Sequence, residues 1–222
     1  MFERLWQLST FVIPLFLAII LHEIAHGWAA YKLGDSTAKR AGRLTLNPIP
    51  HIDPIGSVLV PALLFLSNTG LMFGWAKPVP VRFGALNDPK RDMGLVAVAG
   101  PMMNFLLAFV TVFVLFGIQK IGVDNVVMEW LFDSFRAFFM INLALCAFNL
   151  MPVLPLDGGR ILVSILPKKL SEEYAQTERY GFYILMGLLF LLPMMGIDVI
   201  HDYMVWMQEG LLSVIAVFLG GI

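Results

Sequence analysis

Six apolar blocks follow one another along the 222-residue chain, at about 9–33, 55–74, 93–118, 130–151, 180–197 and 203–222. A bilayer-crossing helix needs about 20 mostly apolar residues, and five of the six blocks meet or nearly meet that length. The second block is different: Pro54 stands before it and Pro61 inside it, and it closes on Met72-Phe73-Gly74. Proline spacing of that kind suits a kinked or re-entrant hairpin as well as a span. The pattern predicts an all-α polytopic membrane protein of five or six transmembrane helices, with a re-entrant or β-like excursion between residues 34 and 92.

Charge placement refines this, because Lys and Arg collect on the cytoplasmic side of membrane proteins. If the first helix runs inward and block 55–74 does not cross, one side receives Lys32, Lys39, Arg40, Arg43, Lys77, Arg82, Lys90, Arg91, Arg160, Lys168, Lys169 and Arg179. Only Arg4, Lys120 and Arg136 are left on the other. If block 55–74 crosses, the bias nearly disappears, so the re-entrant reading is preferred. Composition agrees with membrane residence: 59% of residues are hydrophobic and 14% charged, against about 25% charged in soluble domains, and the mean hydropathy is +0.80. A net charge of -1 offers no basic surface for nucleic acid. The single cysteine, Cys146, rules out an intramolecular disulfide and a multi-thiolate metal site, and four histidines are too few for a bis-haem or histidine-rich di-iron enzyme.

Within the first apolar block stands His22-Glu23-Ile24-Ala25-His26. Four residues apart on a helix, the two imidazoles project from one face and can hold a zinc while Glu23 activates its water. Ionisable groups at membrane depth are costly and mark a working site or a paired network. Signal-peptide cleavage of this block is rejected, since it would remove or strand both histidines. A catalytic zinc needs a third protein ligand and an open position. The best-placed carboxylate is Asp157, in Asn149-Leu150-Met151-Pro152-Val153-Leu154-Pro155-Leu156-Asp157-Gly158-Gly159-Arg160. With block 55–74 not crossing, Asp157 and the end of the first helix fall on the same side.

Plainer readings stand beside these. His22 and His26 can be packing residues bonded across a helix bundle, and Asp157 can cap the helix Gly158 to Leu166. Asn149 reads equally as a bonding partner of a broken helix end. Asn104 reads as a structural partner for neighbouring backbone, His51 as a loop residue, and His201 as a solvated interfacial one.

Taken together, the motifs resemble the site-2 protease family of intramembrane zinc metalloproteases. The resemblance is carried by H-E-I-A-H at 22–26, Ala99-Gly100-Pro101 with Asn104, and Asn149-x-x-Pro152 leading to Leu156-Asp157-Gly158-Gly159. Gly74-Trp75-Ala76-Lys77-Pro78-Val79-Pro80-Val81 and Asn47-Pro48-x-Pro50-His51-x-Asp53-Pro54 resemble a compact prokaryotic branch, without the PDZ insert or nucleotide-sensing domain of some relatives. The resemblance implies one Zn2+ per chain on His22, His26 and Asp157, Glu23 as general base and Asn149 orienting the scissile peptide. It implies a single integral membrane domain over 1–222, with a catalytic core at about 9–165 and further membrane helices at about 180–222. The expected function is zinc-dependent hydrolysis of a peptide bond in a transmembrane or membrane-tethered protein. The site would face the cytoplasmic side of a prokaryotic cell membrane. The competing expectation is a membrane zinc-binding or transport protein, or a catalytically silent relative that only holds a client. Residues 74–81 are expected to offer an edge for strand pairing with unwound substrate.

Overall fold

Nothing in the first apolar block interrupts a helix strongly enough to stop it before Gly34. In the computed structural model, which describes residues 2–67, 74–218 and 220, α1 accordingly runs unbroken over Phe2–Lys32 with Pro14 inside it. Gly34 follows at φ 110°, a left-handed conformation that ends the helix cheaply only for glycine. A short α2 (Thr37–Arg40) leads into a connector that contains a 3₁₀ turn at Ile49–His51, a π-helical turn at Pro54–Leu59 and α3 (Val60–Ser67). The rest of the second apolar block, residues 68–73, lies outside the described residues.

The next two helices begin with strong caps. Asp88 accepts the Arg91 amide ahead of Pro89 to open α4 (Pro89–Ile121), which ends at Gly122 with φ 101°. Asn125 accepts the amides of Val127 and Met128 to open α5 (Val126–Asn149). The prolines at 152 and 155 then keep the chain out of helix until α6 (Asp157–Ile165) and α7 (Lys168–Ala175). Beyond a 3₁₀ turn, the fifth apolar block forms α8 (Gly181–Met186), a π-helical turn at Gly187–Leu191 and α9 (Leu192–Met194); the last forms α10 (Val199–Phe218).

Among the described residues there is no strand, and the fold is all-α. Three helices among the described residues are long and apolar enough to cross a bilayer: Leu5–Lys32, Pro89–Ile121 and Val126–Asn149. A fourth span is reached if Lys168–Met194 and Val199–Phe218, bent by 105° at their junction, count as one. Pro193 and Gly196 at φ 78° account for that break.

Helix directions follow from the side-chain pairs. His22 meets Asn104 while His26 meets Val96, so α1 and α4 are antiparallel. Trp6 bonds Asp133, Trp130 bonds Ser9, and Ala18 packs with Phe138 and Ile141, so α1 and α5 run parallel. The connector between α1 and α4 therefore returns to the end of the bundle it left, and α5 delivers the segment before Asp157 to that same end. Alanines that are fully buried, Ala18, Ala30 and Ala108, sit in the packing clusters. Small residues there allow the close helix approach that membrane interiors depend on.

Candidate metal centre

One face of α1 presents both histidines, and their Nε2 atoms lie 2.9 Å apart. Asp157, the first residue of α6, brings Oδ2 to 3.3 Å from each of those nitrogens. Two local features place it there. A Cβ at Gly158 would overlap the Leu150 and Met151 carbonyls, and one at Gly159 would overlap Leu154 N and the Val153 carbonyl group, so only glycines let α6 start this close to the preceding loop. The helix is capped at Leu156 with no side-chain capping bond, which leaves the Asp157 carboxylate for the histidines. Across the site, Gly100 of α4 faces the imidazoles; a Cβ there would overlap His26 Nε2 and His22 Cε1.

The proton arrangement suits a cation. His26 Nδ1 lies 2.7 Å from the Val96 carbonyl oxygen, which can only accept, so a neutral His26 carries its hydrogen on Nδ1 and leaves a lone pair on Nε2. Asp157 Oδ2 is buried with no hydrogen-bond partner. A lone pair and a carboxylate oxygen facing one another in a buried site need positive charge between them. Tetrahedral zinc, with bonds of about 2.0–2.1 Å, spaces its ligand atoms about 3.3 Å apart. The two His–Asp separations match this, and the His–His separation is slightly shorter. Two imidazole nitrogens and one carboxylate oxygen are also a zinc donor set with one position left open. His22, His26 and Asp157, whose ligand atoms lie within 4.8 Å of one another, are the metal-competent group among the described residues.

The open side is a cavity of about 310 Å³ lined by the three candidate ligands together with Glu23, Asn149, Arg160 and, from the extended segment, Pro78, Val79 and Val81. The Val79 amide donates to Glu23 Oε2 at 2.7 Å. The extended segment that carries Val79 is fastened along one edge: the Trp75 amide to Gly56 O, the Lys77 amide to His51 O, the Lys77 carbonyl to Arg43 Nη2, and the Trp75 carbonyl to the Ser57 hydroxyl. Beyond it the Arg82 amide donates to Asp35 Oδ2 at 2.6 Å. Asn149 lines the cavity and donates through Nδ2 to Leu145 O at 3.0 Å.

The remaining sequence candidates lie elsewhere. His51 is fully buried in its turn with Nε2 3.0 Å from Thr45 O, and His201 is exposed on α10; neither belongs to the cluster. Asn104 has the backbone partner expected of it, Ala18 O at 3.4 Å from Nδ2, and two side-chain partners besides. Its Oδ1 lies 2.5 Å from His22 Nδ1, and its Nδ2 donates to Asn142 Oδ1 at 2.8 Å. Asn142 was not singled out by the sequence reading, although an amide alone in the apolar run Met140-Ile141-Asn142-Leu143 must find a partner across the bundle. The Val79 amide was also missed, since a backbone donor leaves no mark on the sequence.

Comparison with known proteins agrees with this geometry. The model of peptidase family M50 matches residues 115–192. YwhC of Bacillus subtilis (strain 168), named as a zinc metalloprotease, is 38% identical over 197 residues, covering 88% of this chain and 83% of that protein. Rip2 of Mycolicibacterium smegmatis, also named as a zinc metalloprotease, is 28% identical over 175 residues, 78% of this chain and 63% of Rip2. The regulator of sigma-E protease RseP of Escherichia coli (strain K12) is 29% identical over 141 residues, 62% of this chain and 31% of RseP. No solved structure gives a significant match.

Proposed function

The chain is an integral membrane zinc metalloprotease of peptidase family M50, the site-2 protease family, and we propose that it cleaves a transmembrane or membrane-tethered protein within or beside its membrane segment. The observation that carries the reading is the convergence of His22 Nε2, His26 Nε2 and Asp157 Oδ2 beside Glu23 at the wall of a cavity. In it His22, His26 and Asp157 hold one zinc per chain. Zinc bound there supplies Lewis acidity and lowers the pKa of a bound water to about 7.

The residues supply the rest. Glu23, its Oε2 steadied by the Val79 amide, takes the water's proton and passes it to the leaving amine nitrogen as the peptide C–N bond breaks. An asparagine amide has two hydrogens. Asn149 gives one to Leu145 O, and we assign the other to the scissile carbonyl, where it orients the peptide and supports the developing oxyanion. A substrate helix satisfies its own carbonyls and must unwind to reach this site.

Residues 74–81 are suited to receiving the unwound segment. With the backbone groups of Trp75, Lys77 and Val79 bonded along one edge, the alternation of an extended chain turns the backbone carbonyls of Ala76, Pro78 and Pro80 to the opposite edge. Proline has no N–H, so this edge accepts hydrogen bonds at 78 and 80 without donating any there. The Lys and Arg distribution supports a site at the cytoplasmic end of the bundle in a prokaryotic cell membrane. RseP is named as the regulator of sigma-E protease, which supports a protein substrate in regulated intramembrane proteolysis.

The test is cleavage of tagged single-span proteins whose spans carry helix-breaking Gly and Pro residues, by purified wild-type protein and Glu23→Gln. Wild type should cleave, and Glu23→Gln should keep its zinc while losing about 10²- to 10⁴-fold in rate. Cleavage by Glu23→Gln at the wild-type rate would overturn the assignment. So would zinc flux into proteoliposomes that is equal in the two proteins, with cleavage by neither.

A further inference from the structure

We propose that Asn142, acting through Asn104, fixes the tautomer of His22 and thereby its ability to bind the metal through Nε2. The proposal rests on the reading of His22 as a zinc ligand. Neither asparagine is a candidate ligand or lines the cavity; both are positioning residues, fully buried between α1, α4 and α5, and only Asn104 touches His22.

Asn142 Nδ2 lies 2.8 Å from Phe138 O. A backbone carbonyl only accepts, so the NH₂ end of the Asn142 amide must face it and Oδ1 must face Asn104. Asn142 Oδ1 also only accepts, at 2.8 Å from Asn104 Nδ2, which turns the Asn104 oxygen towards His22. The Ala18 carbonyl, 3.4 Å from the same Nδ2, favours the same direction. Asn104 Oδ1 then lies 2.5 Å from His22 Nδ1. An oxygen there requires a hydrogen on Nδ1, and a neutral ring so protonated has its lone pair on Nε2, the atom 3.3 Å from Asp157 Oδ2.

A purely structural role makes a different prediction. Two asparagines joining three helices could serve as polar glue in either amide orientation. Here orientation matters. With both amides flipped, Asn104 would offer an N–H to His22 Nδ1, the ring hydrogen would move to Nε2, and the ligand lone pair would face away from the site. His26 obtains the same tautomer directly from the Val96 carbonyl. His22 has an amide in that place, which can point either way, and so needs a second residue to set its sense.

The experiment uses the full-length, metal-free protein labelled with ¹⁵N-histidine, at about pH 8, above the ordinary imidazole pKa of about 6.5. The chain has four histidines, and the His22 signals are those missing from His22→Gln. Nitrogen shifts distinguish the two neutral tautomers, and zinc affinity is measured in parallel by chelator competition. Wild type should show His22 with its hydrogen on Nδ1. Asn142→Leu should show a mixture of tautomers and a zinc dissociation constant about 10- to 100-fold higher. Asn142→Asp, which still presents an acceptor to Asn104 whether ionised or protonated, should keep the wild-type tautomer.

A folded Asn142→Leu with unchanged tautomer and affinity would overturn the proposal. Should that variant fail to fold, an Nε2-protonated His22 in Asn142→Asp would overturn it equally. The tautomer is read without metal. A wild type that binds no zinc yet shows the expected tautomer shift in Asn142→Leu would therefore defeat the zinc reading and leave the relay standing.

Discussion

The Val79 amide donates to Glu23 Oε2 at 2.7 Å across 56 residues of sequence. The bond ties the carboxylate beside the two histidines to an extended segment otherwise fastened to the connector through Gly56, His51 and Arg43. A general base must be held in a productive orientation, and here a backbone group of the connector helps to hold it. The segment proposed to receive substrate is thus bonded to the residue proposed to move the proton.

Replacing Lys77-Pro78-Val79 with Gly-Ser-Gly should separate these roles from metal binding. The loop gains freedom and the carboxylate loses a fixed donor, so cleavage should fall about 10- to 100-fold. Zinc content should be unchanged, because none of the three residues belongs to the metal-competent group. Assays of cleavage and bound zinc on one preparation check this, and full activity would remove the segment from the mechanism.

Gly100→Ala tests the space around the imidazoles. The added methyl overlaps His26 Nε2 and His22 Cε1, and the nearest relief is rotation of one ring away from Asp157. Zinc affinity should drop by at least about tenfold, as for other disturbances of ligand orientation, while far-UV circular dichroism remains helical. Wild-type affinity in this variant would mean that the rings have room the structure does not show.

Asp35 gives a pH dependence. Its carboxylate is 1% exposed, and burial pushes its pKa up. The Thr37 hydroxyl, the Arg82 amide and the Thr37 amide all donate to it, and with the nearby Arg40 they more than offset burial and hold it below the usual carboxylate value. For a folded-state pKa that is depressed, the stabilisation is present above the unfolded value of about 3.9 and is lost as pH falls through the folded one. Protection of the Arg82 amide, corrected for intrinsic exchange, should therefore persist near neutrality and fail in acid below that value. Asp35→Asn should lower protection at neutral pH; equal protection in both proteins would show that Asp35 does not anchor this segment.

Much of the site was legible from side-chain chemistry. His22 and His26 share a face because helical geometry puts i and i+4 together, and Asp157 was the best-placed carboxylate once a third ligand was sought. Asn104 was legible as a structural partner of neighbouring backbone, but an amide beside a Gly-Pro pair gives no sign that a histidine from another helix will also reach it. Gly100 was visible only as part of a motif; its reason is the volume of two imidazoles packed against its helix. The first helix begins at Phe2 rather than near residue 9, since Trp6 and Ser9 find partners on α5 that make the polar start worth ordering. Composition made the last two blocks membrane helices without deciding whether residues 203–222 cross; the sharp backbone turn between them falls near Pro193 and Gly196.

The central claim is that His22, His26 and Asp157 form one zinc site, and metal content of the purified protein tests it most directly. Elemental analysis of wild type beside His22→Ala, His26→Ala and Asp157→Ala should give close to one zinc per chain, falling in all three variants. Zinc lost from the histidine variants but retained in Asp157→Ala would contradict the three-ligand site. A folded wild type without zinc would contradict the claim altogether.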